Sequence, residues 1–174
     1  VPVIDEDGLE VDYVSIIRAA IKIGFESVMV DGSRLPLEEN IAATRTVVDM
    51  AHAAGIAVEA ELGSVLGHES GPMPPYEELF ASGKGFTSHE DAGRLVRETG
   101  VDWLSVATGN IHGAISGAAK DAGKPETRLH IEHLKKIAAA TGIPLVLHGG
   151  SGIKKDYLLQ AYACGIAKIN VAFV

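Results

Sequence analysis

The 174-residue chain contains one cysteine, Cys164, and one tryptophan, Trp103. A lone thiol cannot close an internal disulfide, so the fold rests on its core and suits a reducing compartment. Aromatic residues are only 5% of the chain while hydrophobic residues are 47%, so Ala, Val, Ile and Leu must build that core. Positive charge is also scarce. Fifteen Lys and Arg stand against 23 Asp and Glu, a formal net charge of −8, and no basic cluster stands out. This speaks against nucleic acid or an anionic membrane as partner, and leaves a small molecule, with any anion held by a local site. No apolar run approaches the roughly 18 residues that argue a membrane-spanning helix, and no leader peptide is visible. The expectation is a cytoplasmic protein.

What the chain does have is a rhythm. Five times a helical, alanine-rich run stops at a glycine and an apolar strand follows at once, at Gly24, Gly55, Gly100, Gly142 and Gly165. Glycine ends a helix in the left-handed conformation, and an aliphatic, β-branched run bounded by such signals reads as a buried parallel strand. The pattern fits an α/β barrel or a doubly wound sheet. Asp31, Glu61, His112, His148 and Asn170 fall at or just past strand C-termini and would open onto one face. A complete (β/α)8 barrel takes about 250 residues. Five strands and their helices use this whole chain, so the reading is one domain over residues 1–174, the C-terminal part of a larger barrel.

Asp12 is the N-cap expected for a first helix through Gly24, and VPVIDEDGLEVDY before it reads as a leading loop. Pro36 starts a second helix, about Leu37 to Ala54. Residues 64–86, rich in glycine and proline, read as a long loop insertion of the kind used for lids or interfaces. Thr87 or Ser88 caps a helix to about Glu98. A second long connection runs from Gly113 to about Glu126, and helices are expected near Arg128–Thr141 and Lys155–Cys164.

LVLHGGSG, residues 145–152, is the strongest local chemical signal. A strand ends in His148, and the turn Gly149, Gly150, Ser151, Gly152 leads to a helix. Glycines let backbone N–H groups approach an anion, and a helix N-terminus adds positive potential. The same turn also serves as a plain tight connection. TGNIHG places His112 one strand earlier. Two strand-end imidazoles can share one Zn²⁺, which usually takes a third protein ligand. Asp31 and Glu61 could bind a cation or move protons, or simply cap their loops. Glu59 shares Glu61's parity and, if buried, needs a partner. Lys168 shares the parity of Asn170, whose amide could serve a developing oxyanion. His68 and Glu69 lie in the long loop, where an acid or base can arrive with loop closure. His52, His89, His130 and His133 read as helix residues, and Cys164 as packing.

Together SVMVDGSRLPLEENI, VEAELG followed by GSVLGHE, LSVATGNIHG, IPLVLHGGSGI and KINVA occur in the order of, and resemble, the class II zinc-dependent fructose-bisphosphate aldolase family. The resemblance covers nearly the whole chain. It implies an incomplete (β/α)8 TIM barrel of about five βα units, and reversible cleavage of a ketose bisphosphate to dihydroxyacetone phosphate and an aldehyde. It implies zinc held by His112 and His148, with Glu61 and Asp31 as acids near the metal, and a monovalent cation as a further cofactor. Gly113 and the turn Gly149, Gly150, Ser151 and Gly152 match the phosphate site. Asn170 matches the asparagine that steadies the enediolate, and Glu69 the mobile-loop acid. The family's usual assembly is a dimer or tetramer.

The resemblance also has gaps. The family's HxDH element, source of a third zinc histidine, is absent from VPVIDEDG, where Asp5, Glu6 and Asp7 are at most a degenerate version. Phe173 stands near where the family keeps a phosphate-binding threonine or serine. The expected third histidine therefore lies outside the chain, which by itself would not turn over. Alternatives are a phosphosugar isomerase or epimerase on the same barrel, and a metal-free phosphate-ligand-binding module.

Overall fold

The computed structural model describes residues 1–65, 75–111 and 127–171. Its centre is a five-stranded, wholly parallel sheet of β1 (Ser27–Asp31), β2 (Ala57–Leu62), β3 (Trp103–Val106), β4 (Leu145–Leu147) and β5 (Ile166–Ile169). The strands lie in sequence order, β1-β2-β3-β4-β5. A doubly wound sheet reverses its strand order at a switch point. An unbroken order belongs to a barrel.

The helices follow from local chemistry. In α1 (Tyr13–Lys22) the Asp12 carboxylate accepts a hydrogen bond from the Ser15 N–H, as an N-cap does. Pro36 opens α2 (Leu37–His52), with Glu38 and Glu39 in its first turn, where acids oppose the helix dipole. Ser88 caps α4 (His89–Thr99) by accepting from the Asp91 N–H, and Gly100 ends it at φ 69°. α5 (Ile131–Thr141) ends on Gly142 at φ 66°, and α6 (Lys155–Ala163) leads through Gly165 into β5. All five expected boundary glycines take positive φ.

Two segments differ from their sequence reading. Within residues 64–86, Tyr76–Ser82 forms a helix, α3, entered through Pro75 and closed by Gly83 at φ 63°. The opening residues also do more than lead into α1. Pro2 forms a parallel bridge with Asp31, through Val3 N–H to Asp31 O at 2.9 Å and Asp31 N–H to Val1 O at 2.9 Å. Proline lacks a donor but is tolerated at a sheet edge; here its neighbours carry the bonds.

One face of the sheet packs on helices. Val30, Val58, Ala60, Leu104, Leu145 and Leu147 are buried there, with Val47, Leu95, Leu134 and Ile137 from α2, α4 and α5. Each such aliphatic side chain contributes about 1.5–3 kcal/mol of burial. The other parity is chemically different. Register places Met29 beside Glu59 and Trp103, and Asp31 beside Glu61, Ser105, Val146 and Lys168. That face would line a barrel interior, and it carries the charge.

Candidate active site on the barrel rim

His148 follows β4 directly and is 7% exposed. Its ring is gripped at both nitrogens. Nε2 lies 3.0 Å from Glu59 Oε1, and Nδ1 lies 3.0 Å from Glu61 Oε2. Both carboxylates come from β2 and both are buried. The second oxygen of Glu59 accepts from Lys168 Nζ at 2.6 Å, and that ammonium stands 5.8 Å over the Trp103 ring. The parity of Glu59, Glu61 and Lys168 thus becomes a continuous chain of contacts across four strands.

The electrostatics follow from these distances. Burial pulls the His148 imidazole toward its neutral form, but the hydrogen bonds to Glu59 and Glu61 outweigh it and raise its pKa to about 9. Burial would raise Glu59 too, but the bonds from His148 and Lys168 hold it below its ordinary value. Glu61 is held above its ordinary value by burial, helped by the nearby Asp31 charge and opposed by its bond with His148. Near neutral pH the ring is an imidazolium that donates to a carboxylate on each side.

The main chain beneath these groups is stapled by buried polar side chains. Asn40 on α2, 0% exposed, donates through Nδ2 to the Glu61 carbonyl at 3.0 Å and accepts from Thr44. A Cβ on Gly32 would lie 2.3 Å from Asn40 Oδ1, so glycine is required for this approach. Thr87 joins β2 to β3, donating to Leu62 O at 2.5 Å and accepting from Ala107 N–H at 2.8 Å. Asn110 joins β3 to β4, donating to His148 O at 3.0 Å and accepting from Thr108 N–H at 2.9 Å. Sequence reasoning missed all three. Asn40 and Asn110 stood inside the quoted segments SVMVDGSRLPLEENI and TGNIHG, and Thr87 was offered only as a helix cap.

The remaining expected residues divide. Asp31 ends β1 beside Glu61 in register, and its Oδ1 accepts from Ser33 N–H at 2.9 Å, so it also caps its own loop. Asn170 follows β5; its N–H donates to Leu147 O at 2.8 Å and its carbonyl accepts from Gly150 N–H at 2.9 Å. Gly149 takes φ 67°, and Gly150, Ser151 and Gly152 form a short 3-10 turn. A Cβ on Gly150 would meet Ile169 Cγ2 at 2.5 Å, which ties this glycine to close strand packing as much as to any ligand. His112, Gly113, His68, Glu69 and Phe173 lie outside the described residues. The other histidines cap or pair as expected of helix residues: His52 with Asp102, His89 with Glu90, His130 at the α5 N-terminus, and His133 with Thr87 O.

The donor chemistry suits a divalent ion in part. An imidazole nitrogen and a carboxylate oxygen 3.0 Å apart can hydrogen-bond, or with a small shift flank one zinc at about 2.0–2.2 Å from each. Among the described residues no group of three His, Cys, Asp or Glu side chains is placed to hold an ion alone. A third donor must come from elsewhere, and His112 follows the buried Ile111 directly.

A sequentially ordered parallel sheet with buried acids and an imidazole at its strand ends defines an α/β-barrel of the enzyme type, with chemistry at the C-terminal rim. The model of the class-II fructose-bisphosphate aldolase family matches residues 9–173, and the chain belongs to that family. Fructose-bisphosphate aldolases of Streptococcus pyogenes serotype M3 and of Geobacillus stearothermophilus are 43% and 42% identical over 154 residues. The matches cover 87% and 88% of this chain but 46% and 48% of the relatives. The chain therefore spans about half the length of the curated relatives it matches. The crystal structure of the YdjI aldolase from Escherichia coli K12 superposes with a TM-score of 0.68 at 36% identity, over 90% of this chain and 48% of that one. The sheet is thus part of a (β/α)8 barrel, about five βα units of it.

Proposed function

We propose that this chain supplies the substrate-facing strand ends of a class II aldolase that reversibly cleaves a ketose bisphosphate, fructose 1,6-bisphosphate foremost, to dihydroxyacetone phosphate and an aldehyde. The observation that carries the reading is His148, held between Glu59 and Glu61 at a strand end and followed at once by the glycine turn. Nδ1 of His148 and Glu61 would hold a zinc ion together with His112, with Asp31 as a neighbouring acid. Such an ion supplies Lewis-acid polarisation of the substrate ketone.

The protein's own groups do the rest. Backbone N–H groups of Gly149, Ser151 and Gly152 would hold the substrate phosphate, with Gly113 from the preceding connection. Gly150 is already committed to the Asn170 carbonyl. The side-chain amide of Asn170, just past β5, would donate to the oxyanion that develops on the substrate. Glu69 would move the C1 proton. Holding phosphate and oxyanion at fixed points on two adjacent strands brings the reacting atoms into register. No helix among the described residues is long and apolar enough to cross a membrane, which is consistent with a cytoplasmic enzyme. A dimer or tetramer is the proposed assembly.

The test, run on a whole aldolase polypeptide carrying these strand ends rather than on this half-length chain, is release of triose phosphate from fructose 1,6-bisphosphate, beside an assay for simple ketose isomerisation. Triose phosphate release abolished by His148→Ala supports the aldolase. Isomerisation without cleavage would replace it with an isomerase on the same barrel.

A further inference from the structure

Glu59 plays no part in that proposed chemistry, yet its side chain is among the most deeply buried in the molecule, at 2% exposure. A buried carboxylate persists only if each oxygen is satisfied. Here Oε1 accepts a hydrogen bond from His148 Nε2 at 3.0 Å and Oε2 accepts one from Lys168 Nζ at 2.6 Å. Lys168 is the more accessible end of this chain, its side chain 44% exposed, and it rests over Trp103, the register partner of Glu59 on β3.

We propose that Lys168 and Glu59 are positioning residues that lock the His148 ring with Nε2 turned away from the rim, so that Nδ1 alone faces Glu61 and an incoming ion. The proposal rests on the zinc-aldolase reading for the identity of the ion. The ring orientation stands without it. An imidazole held by one hydrogen bond can rotate about its χ2 axis, and the bond made by the other nitrogen decides which one remains for a metal. Glu59 makes that choice. Lys168 keeps Glu59 making it, because its ammonium occupies the oxygen that would otherwise compete for a cation or draw the carboxylate out of line. β2, β3 and β5 thereby cooperate to aim a ring carried at the end of β4.

The experiment compares the chain with Lys168→Met, which keeps the stem that covers Trp103 but removes the charge, and with Lys168→Arg, which keeps a cation. Two readouts are taken: the His148 ring Hε2 proton resonance without metal, and Zn²⁺ affinity by chelator competition. The original chain and Lys168→Arg should show a slowly exchanging Hε2 resonance. Lys168→Met should lose it and bind zinc about 10–100-fold more weakly. Retention of both the resonance and the original zinc affinity in Lys168→Met overturns the proposal. Glu59→Gln guards against a misfolded Lys168→Met: it keeps an acceptor for Nε2 but not the ion pair, and unchanged behaviour in both readouts would count equally against the proposal. If the original chain binds no zinc at all, the metal reading fails by itself, and the Hε2 comparison alone decides the positioning role.

Discussion

Nδ1 of His148 on the β4 terminus and Oε2 of Glu61 on β2 lie 3.0 Å apart although β3 runs between their strands. They meet across the interior face above Ser105, the β3 residue in register with Glu61. The sheet must curve for this contact to form, and the intervening side chain must be small.

That relationship makes Ser105 a gauge of the site. Its hydroxyl is buried and without a hydrogen-bond partner. Ser105→Ala should therefore cost little, within about 1 kcal/mol. Ser105→Leu should cost about 1–3 kcal/mol by overpacking and separate the imidazole from the carboxylate. Urea denaturation of both variants measures the difference, and equal costs would place Ser105 off the interior face.

The raised His148 pKa gives stability a definite pH slope. The folded value is about 9 against 6.5 for the free group. The contribution is therefore fully present below about pH 6.5 and is lost as pH rises through about 9, a change on the order of 3 kcal/mol for a group this buried. Glu61, also raised, sheds stability in the same direction, beginning lower, as pH rises past its unfolded value. Urea midpoints between pH 6 and 10 should fall for the original chain, and His148→Gln should flatten that segment of the curve.

Much of this fold was legible because its signals are local. A glycine that ends a helix is followed by an aliphatic strand, and Asp12 announces its cap by residue type, whereas Thr87 and Ser88 were equal candidates for the cap that Ser88 makes. Parity also paired Glu59 with Glu61 on one strand and Lys168 with Asn170 on another; the register of the sheet then put Glu59, Glu61 and Lys168 on one face. The partners themselves were not legible: His148 is 89 residues from Glu59, and only the curvature of the folded sheet brings them together. α3 was hidden by the glycine and proline around it, since two turns of helix need only a start at Pro75 and a stop at Gly83. Asn40 drew no reading of its own, because nothing local tells an asparagine facing solvent from one that holds a strand carbonyl.

Asn110 offers a test of how far the staples matter. Asn110→Ala leaves the carbonyl of His148 and the N–H of Thr108 without their side-chain partner in a buried setting. The expected cost is about 1–3 kcal/mol. Asn40→Ala should cost a similar amount through Glu61 O and Thr44. The two side chains share no partner, so the double variant should be additive within about 0.5 kcal/mol. Denaturant midpoints of the four proteins complete the cycle, and strong coupling would mean that the rim moves as one unit.

The most direct test of the account is a calorimetric titration of the chain with Zn²⁺ near pH 7 in two buffers of different ionisation enthalpy. An ion that takes the place of the proton between His148 and Glu61 must release that proton, so close to one proton per zinc should appear in the buffer, and His148→Asn should abolish both binding and release. Zinc binding with no proton release, or binding untouched by His148→Asn, would contradict the assignment of this pair as metal donors.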